Sequence, residues 1–262
     1  MRKGGLALPL LAVLGLSACG VSVHFGDYKN ELTSDATVNG QVKVVNLDSK
    51  DGRLVIRAGG SAVRIHRVVH YQDGTPHPGQ RLDSGTLTFT RGCTRCKVDY
   101  ELTVPASVTV QARADSGRID VTGVATADAS SDSGSVAIHS VKGAVRAHSD
   151  SGSVTVEDVG SPLTLTTDSG SIHATRLTAA TVRAHSKSGS VRLTFAAPPT
   201  DVNATTDSAS LRVAVPGGPY NVDADTDSGG KDVAGVPHDQ HAPRRLYLRT
   251  DSGHLTAEHT TS

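Results

Sequence analysis

The sequence predicts an all-β protein. Its larger part reads as a solenoid of about 18 residues per coil, with two short strands in each coil, preceded by an N-terminal β region. Three observations predict this. Asp-Ser-Gly begins at Asp115, Asp132, Asp150 and Asp168, varies to Lys-Ser-Gly from Lys187 and Asp-Ser-Ala from Asp207, and returns at Asp227 and Asp251. Between these tripeptides apolar and polar residues alternate in runs of about five, the period of a half-buried strand. Beyond the N-terminus no stretch carries the 3.6-residue period of a helix.

Residues 1–18 stand apart. Arg2 and Lys3 make a basic start, and Leu6 to Leu16 form an apolar run too short to span a bilayer comfortably. It ends in Leu16-Ser17-Ala18-Cys19, which resembles the lipobox of bacterial lipoproteins. That resemblance implies cleavage before Cys19, a diacylglycerol on its sulfur, and an extracytoplasmic chain anchored to the bacterial cell membrane. Two acyl chains suffice for stable anchoring. Simple secretion with cleavage near Ala18 is the alternative. Residues 19–37 then read as a tether.

Residues 38–110 read as the N-terminal β region that caps the solenoid. Alternating runs continue through Val38–Tyr71, two further strands flank the cysteine turn within Asp83–Pro105, and Tyr71–Arg81 reads as a polar loop. Cys93 and Cys96 lie in "TRGCTRCKVDY". Outside the cytoplasm an even pair favours a disulfide closing a turn. A redox CxxC would want a thioredoxin-like βαβ context, and a zinc site two further ligands at fixed spacing; neither is evident. Free thiols are the remaining reading.

Residues 111–262 carry the repeat. Each unit divides in two, as in "DSGSVAIHS" and "VKGAVRAHS", and each half is a turn followed by a short strand. Val136/Ile138, Val145/Ala147, Val154/Val156 and Leu163/Leu165 mark one face of successive strands. One unit buries too little apolar surface to offset the ordering of its backbone, so units must stack. Stacking also explains why one tripeptide recurs, since every coil meets the same steric problem at the same corner. The ladder residues are Asp115, Gly117, Asp132, Gly134, Asp150, Gly152, Asp168, Gly170, Asp227, Gly229, Asp251 and Gly253. Glycine is expected there to supply a positive φ, and aspartate to bond backbone amides two residues on. Lys231–Arg245 reads as an insertion that widens the last spacing to 24.

"CKVDYELTVPASVTVQARADSGRIDVTGV" followed by repeated "SGSV" units resembles the DUF4097 β-strand-repeat proteins, also called proposed adhesins. "VPGGPYNVDADTDSGG" and "LYLRTDSGHLTAEH" extend the likeness to the C-terminus. The resemblance implies a right-handed β-solenoid or β-helix-like domain on secreted or membrane-anchored bacterial proteins. It brings no catalytic residues.

Function is less legible. Basic and acidic residues balance at 26 each, so nothing in the charge argues for nucleic acid as a partner. Calcium-binding β-rolls also use nine-residue half-repeats, but here glycine, not aspartate, stands two residues before Val136, Val154 and Ile172. The calcium pattern therefore fails in phase and in number. His139, His148, His173 and His185 read as outward polar strand residues. Arg146, Arg183 and Arg192 could serve a polysaccharide-modifying β-helix enzyme, yet no unit concentrates such groups. The expectation is a non-catalytic envelope protein without cofactor or metal. Its partners would be the membrane, through the lipid anchor, and wall polysaccharide or another envelope protein. A polysaccharide-modifying enzyme and a calcium-dependent surface scaffold are the alternatives.

Overall fold

A computed structural model of the chain describes residues 28–260. Cys19 and the whole leader lie outside the described residues. Every regular element described is a strand. The first nine are β1 (Asn30–Val38), β2 (Val44–Ser49), β3 (Leu54–Ala58), β4 (Val63–Tyr71), β5 (Gly79–Asp83), β6 (Thr86–Thr90), β7 (Cys96–Val104), β8 (Thr109–Ala114) and β9 (Ile119–Thr122). The regular repeat continues through β10 (Thr126–Ser131), β11 (Val136–His139), β12 (Val145–Ser149), β13 (Val154–Glu157), β14 (Leu163–Thr167), β15 (Ile172–Leu177), β16 (Thr181–Ser186), β17 (Val191–Phe195), β18 (Asp201–Thr206) and β19 (Leu211–Val215). Four strands close the chain: β20 (Asn221–Ser228), β21 (Lys231–Asp232), β22 (Arg245–Ser252) and β23 (Leu255–His259).

The strands form two sheets. One runs β1-β4-β7-β3-β9-β11-β13-β15-β17-β19-β23-β21, the other β20-β22-β18-β16-β14-β12-β10-β8-β2-β6-β5. Each coil gives one strand to each sheet, and strands of successive coils pair in parallel. Val136 lies beside Ile119 on one side and Val154 on the other, and Ala147 between Ala129 and Leu165. Equivalent residues thus stack at a step of ~4.8 Å. The inner face is a thin column of Val, Leu, Ile and Ala. Val136, Ile138, Val154, Val156, Leu165, Ala174, Val182 and Leu193 are all under 2% exposed. Small residues are fully buried here because each coil is covered above and below by its neighbours.

Chain order and stacking order differ at both ends. The coil β2–β3 lies against β8–β9, while the later β6–β7 lies on its far side. At the other end β22 sits between β18 and β20, and β23 between β19 and β21. The C-terminal strands are therefore wedged under the coil that precedes them in sequence, and residues 233–244 are the crossover this requires. The repeat also begins before Asp115. Gly52, in the turn between β2 and β3, stands directly under Gly117. This coil falls inside the stretch whose looser spacing reads as cap.

The cap proper is antiparallel: β1 pairs with β4, β4 with β7, and β5 with β6. Residues 30–37, expected as part of a tether, instead form most of the edge strand β1, which pairs with β4 over nine positions from Asn30 to Val38. Leu32, Ala36 and Val38 alternate toward the core, which draws the segment onto the sheet. His66 Nδ1 meets the Asp35 carboxylate at 2.7 Å. Beneath β1 the Arg67 side chain is almost fully buried and donates to Ser34 Oγ at 2.9 Å and Gln80 Oε1 at 2.8 Å. Burial lowers its pKa and raises that of the adjacent Tyr100 phenol.

Candidate functional site

The Asp-Ser-Gly corner stacks as the repeat requires, for a different reason than turn conformation. Gly117, Gly134, Gly152, Gly170, Gly189 and Gly253 all have φ outside the left-handed region. A Cβ on any of them would come closer than 3.0 Å to the carbonyl oxygen of the residue beneath, nearer than real Cβ atoms approach. The glycine column runs from Gly52 through Gly117, Gly134, Gly152, Gly170 and Gly189 to Ala209, then to Gly253 and Gly229. Only at Gly229 is φ positive, at 148°. Hence glycine recurs mainly because coils touch there, backbone to backbone.

Nor do the aspartates cap the turn. That work falls to the residue before the tripeptide: Ser131, Ser149, Thr167 and Ser186, all at most 1% exposed. Each hydroxyl accepts the amide of the glycine three residues on, at 2.8–3.0 Å. Each also donates to the glycine carbonyl of the coil beneath, at 2.9–3.3 Å. The hydroxyl column therefore stitches neighbouring coils together. Ser149→Ala leaves a buried amide and a buried carbonyl without their partner, and is expected to lower stability by about 1–3 kcal/mol. Urea denaturation measures it; an unchanged midpoint would show that the hydroxyl column is dispensable.

The Asp side chains point outward and are exposed or half-buried. Asp150 meets His148 Nε2 at 2.7 Å, and Asp168 meets Lys187 Nζ at 2.6 Å. The second contact lowers the Asp168 pKa and raises that of Lys187. Among the described residues no group of three or more His, Cys, Asp or Glu is arranged to hold a metal ion. Cys93 and Cys96 are joined in a disulfide, Cα–Cα 5.9 Å, that closes the turn leading into β7. Beside it lies a shallow concavity of about 440 Å³ lined by Tyr28, Lys50, Asp51, Gln72, Thr94, Arg95 and Cys96.

The broad outward surfaces belong to the two sheets. On the sheet containing β12, Arg146 and His148 project from one strand, and Arg183 and His185 from another two coils away. Both come from the pentapeptide Val-Arg-Ala-His-Ser. In each copy His Nδ1 lies 2.8 Å from a threonine hydroxyl of the next coil, Thr166 or Thr205. On the opposite sheet Arg176 is held by Asp158 and Glu157, and His139 lies 3.2 Å from Glu157. These contacts raise the Arg176 pKa and lower that of Asp158. Beside them Gly123, Ser140, Asp158 and Arg176, at φ 75°, 55°, 55° and 50°, share a left-handed corner that alternation alone does not disclose.

Several solved structures resemble the chain. A proposed adhesin from Bacteroides fragilis is 17% identical and aligns over 88% of this chain and 97% of its own, with a TM-score of 0.44. One from Parabacteroides distasonis is 11% identical over 88% and 98%, with a TM-score of 0.46. Among curated proteins none matches. The family model Toastrack DUF4097 matches residues 93–256, from the disulfide to the last strand. That span is well over half of the 262 residues, and the chain belongs to the Toastrack DUF4097 family.

Proposed function

We propose that the protein is a non-catalytic, lipid-anchored component of the bacterial cell envelope that presents its solenoid as a rigid binding surface. Its partner would be wall glycan or another envelope protein. The observation that carries this reading is the pair of outer sheet faces. Polar side chains there repeat in register from coil to coil at ~4.8 Å, on parallel strands that hold them fixed. A surface of identical steps suits a partner that is itself a repeating chain, because many weak contacts then form together. The lipobox-like Cys19 supplies the anchor in this reading, and the corner residues, the disulfide and the hydroxyl column supply stiffness.

Two measurements test it. Cys19→Ala expressed in the native cell is expected to move the protein from the membrane fraction to the medium; retention on membranes would remove the anchor from the proposal. Purified full chain mixed with isolated envelope fragments is expected to sediment with them. Protein left in the supernatant at all concentrations would overturn the binding role.

A further inference from the structure

The stacking order brings together a column that chain order hides. Reading along the outward face of the sheet that holds β8, β10, β12, β14, β16, β18 and β22, one position is occupied in turn by Arg113, Ser130, His148, Thr166, His185, Thr205 and Arg249. Basic and hydroxyl side chains alternate without a break across seven coils. The beat is therefore two coils, ~9.6 Å. Arg249 keeps it only because β22 is wedged out of chain order. Two residues toward the N-terminal side of each strand, the neighbouring column repeats the beat in its centre with Arg146, Thr164 and Arg183. Arg113, Arg146 and Arg183 are exposed, and among the described residues none of their side chains has an ion pair or hydrogen bond. Arginines left free on a chain with as many acids as bases are available to an outside anion.

We infer that this face binds a linear anionic polysaccharide lying along the solenoid axis, with one carboxylate or phosphate for each two coils. The inference rests on the binding role proposed above and names its ligand class. Arg146 and Arg183 take successive anionic groups, each through a planar fork of N–H donors suited to carboxylate or phosphate. Thr164, between them, faces the sugar hydroxyls. A two-coil step is close to the length of one disaccharide in an extended glycan, so a polymer charged once per disaccharide places successive charges at Arg146 and Arg183. Strands paired in register from coil to coil give such a ribbon a continuous path along the axis. The acids nearby set its path. Asp150 holds His148, Asp223 holds Arg249, and Asp128 stands next to Arg146. The aspartates of the corner column flank the histidine side, so the polymer runs along the arginine side of the face.

The test uses the full chain in detergent and calorimetric titration at low salt. The probes are a hyaluronan octasaccharide, with one carboxylate per disaccharide, and a neutral chito-oligosaccharide of equal length. Hyaluronan is expected to bind, with affinity falling as salt rises, and the neutral sugar is expected not to bind. The double variant Arg146→Gln/Arg183→Gln, which touches no packed contact, is expected to melt like the parent and to bind hyaluronan roughly tenfold or more weakly. Equal binding by parent and double variant, equal binding of the neutral sugar, or no binding of hyaluronan overturns the inference. Sedimentation with envelope fragments separates this failure from the broader one. If the parent sediments and the double variant sediments equally, the arginine face is wrong while the envelope role stands; if the parent does not sediment, the envelope role itself fails.

Discussion

Gly152→Ala is expected to destabilise the protein by about 2–4 kcal/mol. A methyl there would meet the carbonyl oxygen and carbon of Gly134 and the amide nitrogen of Ser135. These are backbone atoms of the coil beneath, and the ladder pins them: Ser151 N donates to Asp132 O at 2.9 Å, and Ser149 Oγ to Gly134 O at 2.9 Å. Relief requires the two coils to part at this corner, which stretches both bonds. The sign of the effect is what discriminates. Where glycine serves only as a flexible hinge and its φ suits any residue, exchange for alanine stabilises by about 0.4–1 kcal/mol through the unfolded chain. Gly152 has such a φ, so a turn without close stacking predicts a gain and the stacked corner predicts a loss. Ala209 supplies the internal control, since the column there already carries a methyl beside the wedged C-terminal coil. Ala209→Gly is expected to change stability much less than Gly152→Ala. Urea midpoints of the two variants decide the matter; a Gly152→Ala protein as stable as the parent would mean that the coils do not touch at this corner.

This contrast also shows how far the sequence could be read. The period of Asp-Ser-Gly and the alternation of Val136/Ile138 or Leu163/Leu165 each state a physical need, and both needs are met in the parallel stack. The role of the tripeptide was harder to read. A recurrent glycine fits either a positive φ or a close approach, and only neighbouring backbone separates the two. The serine or threonine before the tripeptide was also open to inspection, at Ser131, Ser149, Thr167, Ser186, Thr206 and Thr250. It is a stronger signal than the aspartate, because a polar residue that keeps its place on the buried side of a strand must have a partner. Ala114 breaks the series at its first tripeptide, which weakens the cue where reading begins. Residues 30–37 carry mixed polar sequence because an edge strand buries only one side, so composition alone resembles a tether. Stacking order was beyond reach, since a wedged coil has the same local pattern as a sequential one. The alternating basic column follows from that order and was hidden with it.

The wedged end yields a second large effect. Ending the chain at Arg244 removes β22 and β23, which in a sequentially stacked solenoid would be the outermost coil. There the coil containing Asp227 would stay in place and the rod would simply be shorter. In the observed order the deletion removes the support of that coil. β20 is paired with β22 from Asn221↔Arg245 to Ser228↔Ser252, and β21 is paired with β23. Leu246, Leu248 and Leu255, all fully buried, go with the deletion, an upper estimate of roughly 5–9 kcal/mol of lost burial. β20 is a poor replacement for β22, because it would offer Val222 and Ala224 where Leu246 and Leu248 now fill the core against Val202 and Ala204. A cavity and an unpaired edge would follow the exchange. Amides of residues 221–228 are therefore expected to exchange with solvent as in an unstructured chain, and those of 211–215 to lose much of their protection. Coils around Val136 and Val154 keep theirs, since each coil depends chiefly on its neighbours. Hydrogen exchange followed segment by segment reads all three regions in one experiment. Continued protection of 221–228 in the shortened chain would show that those residues stack directly on β18 and β19, and would remove the wedge that places Arg249 in the alternating column.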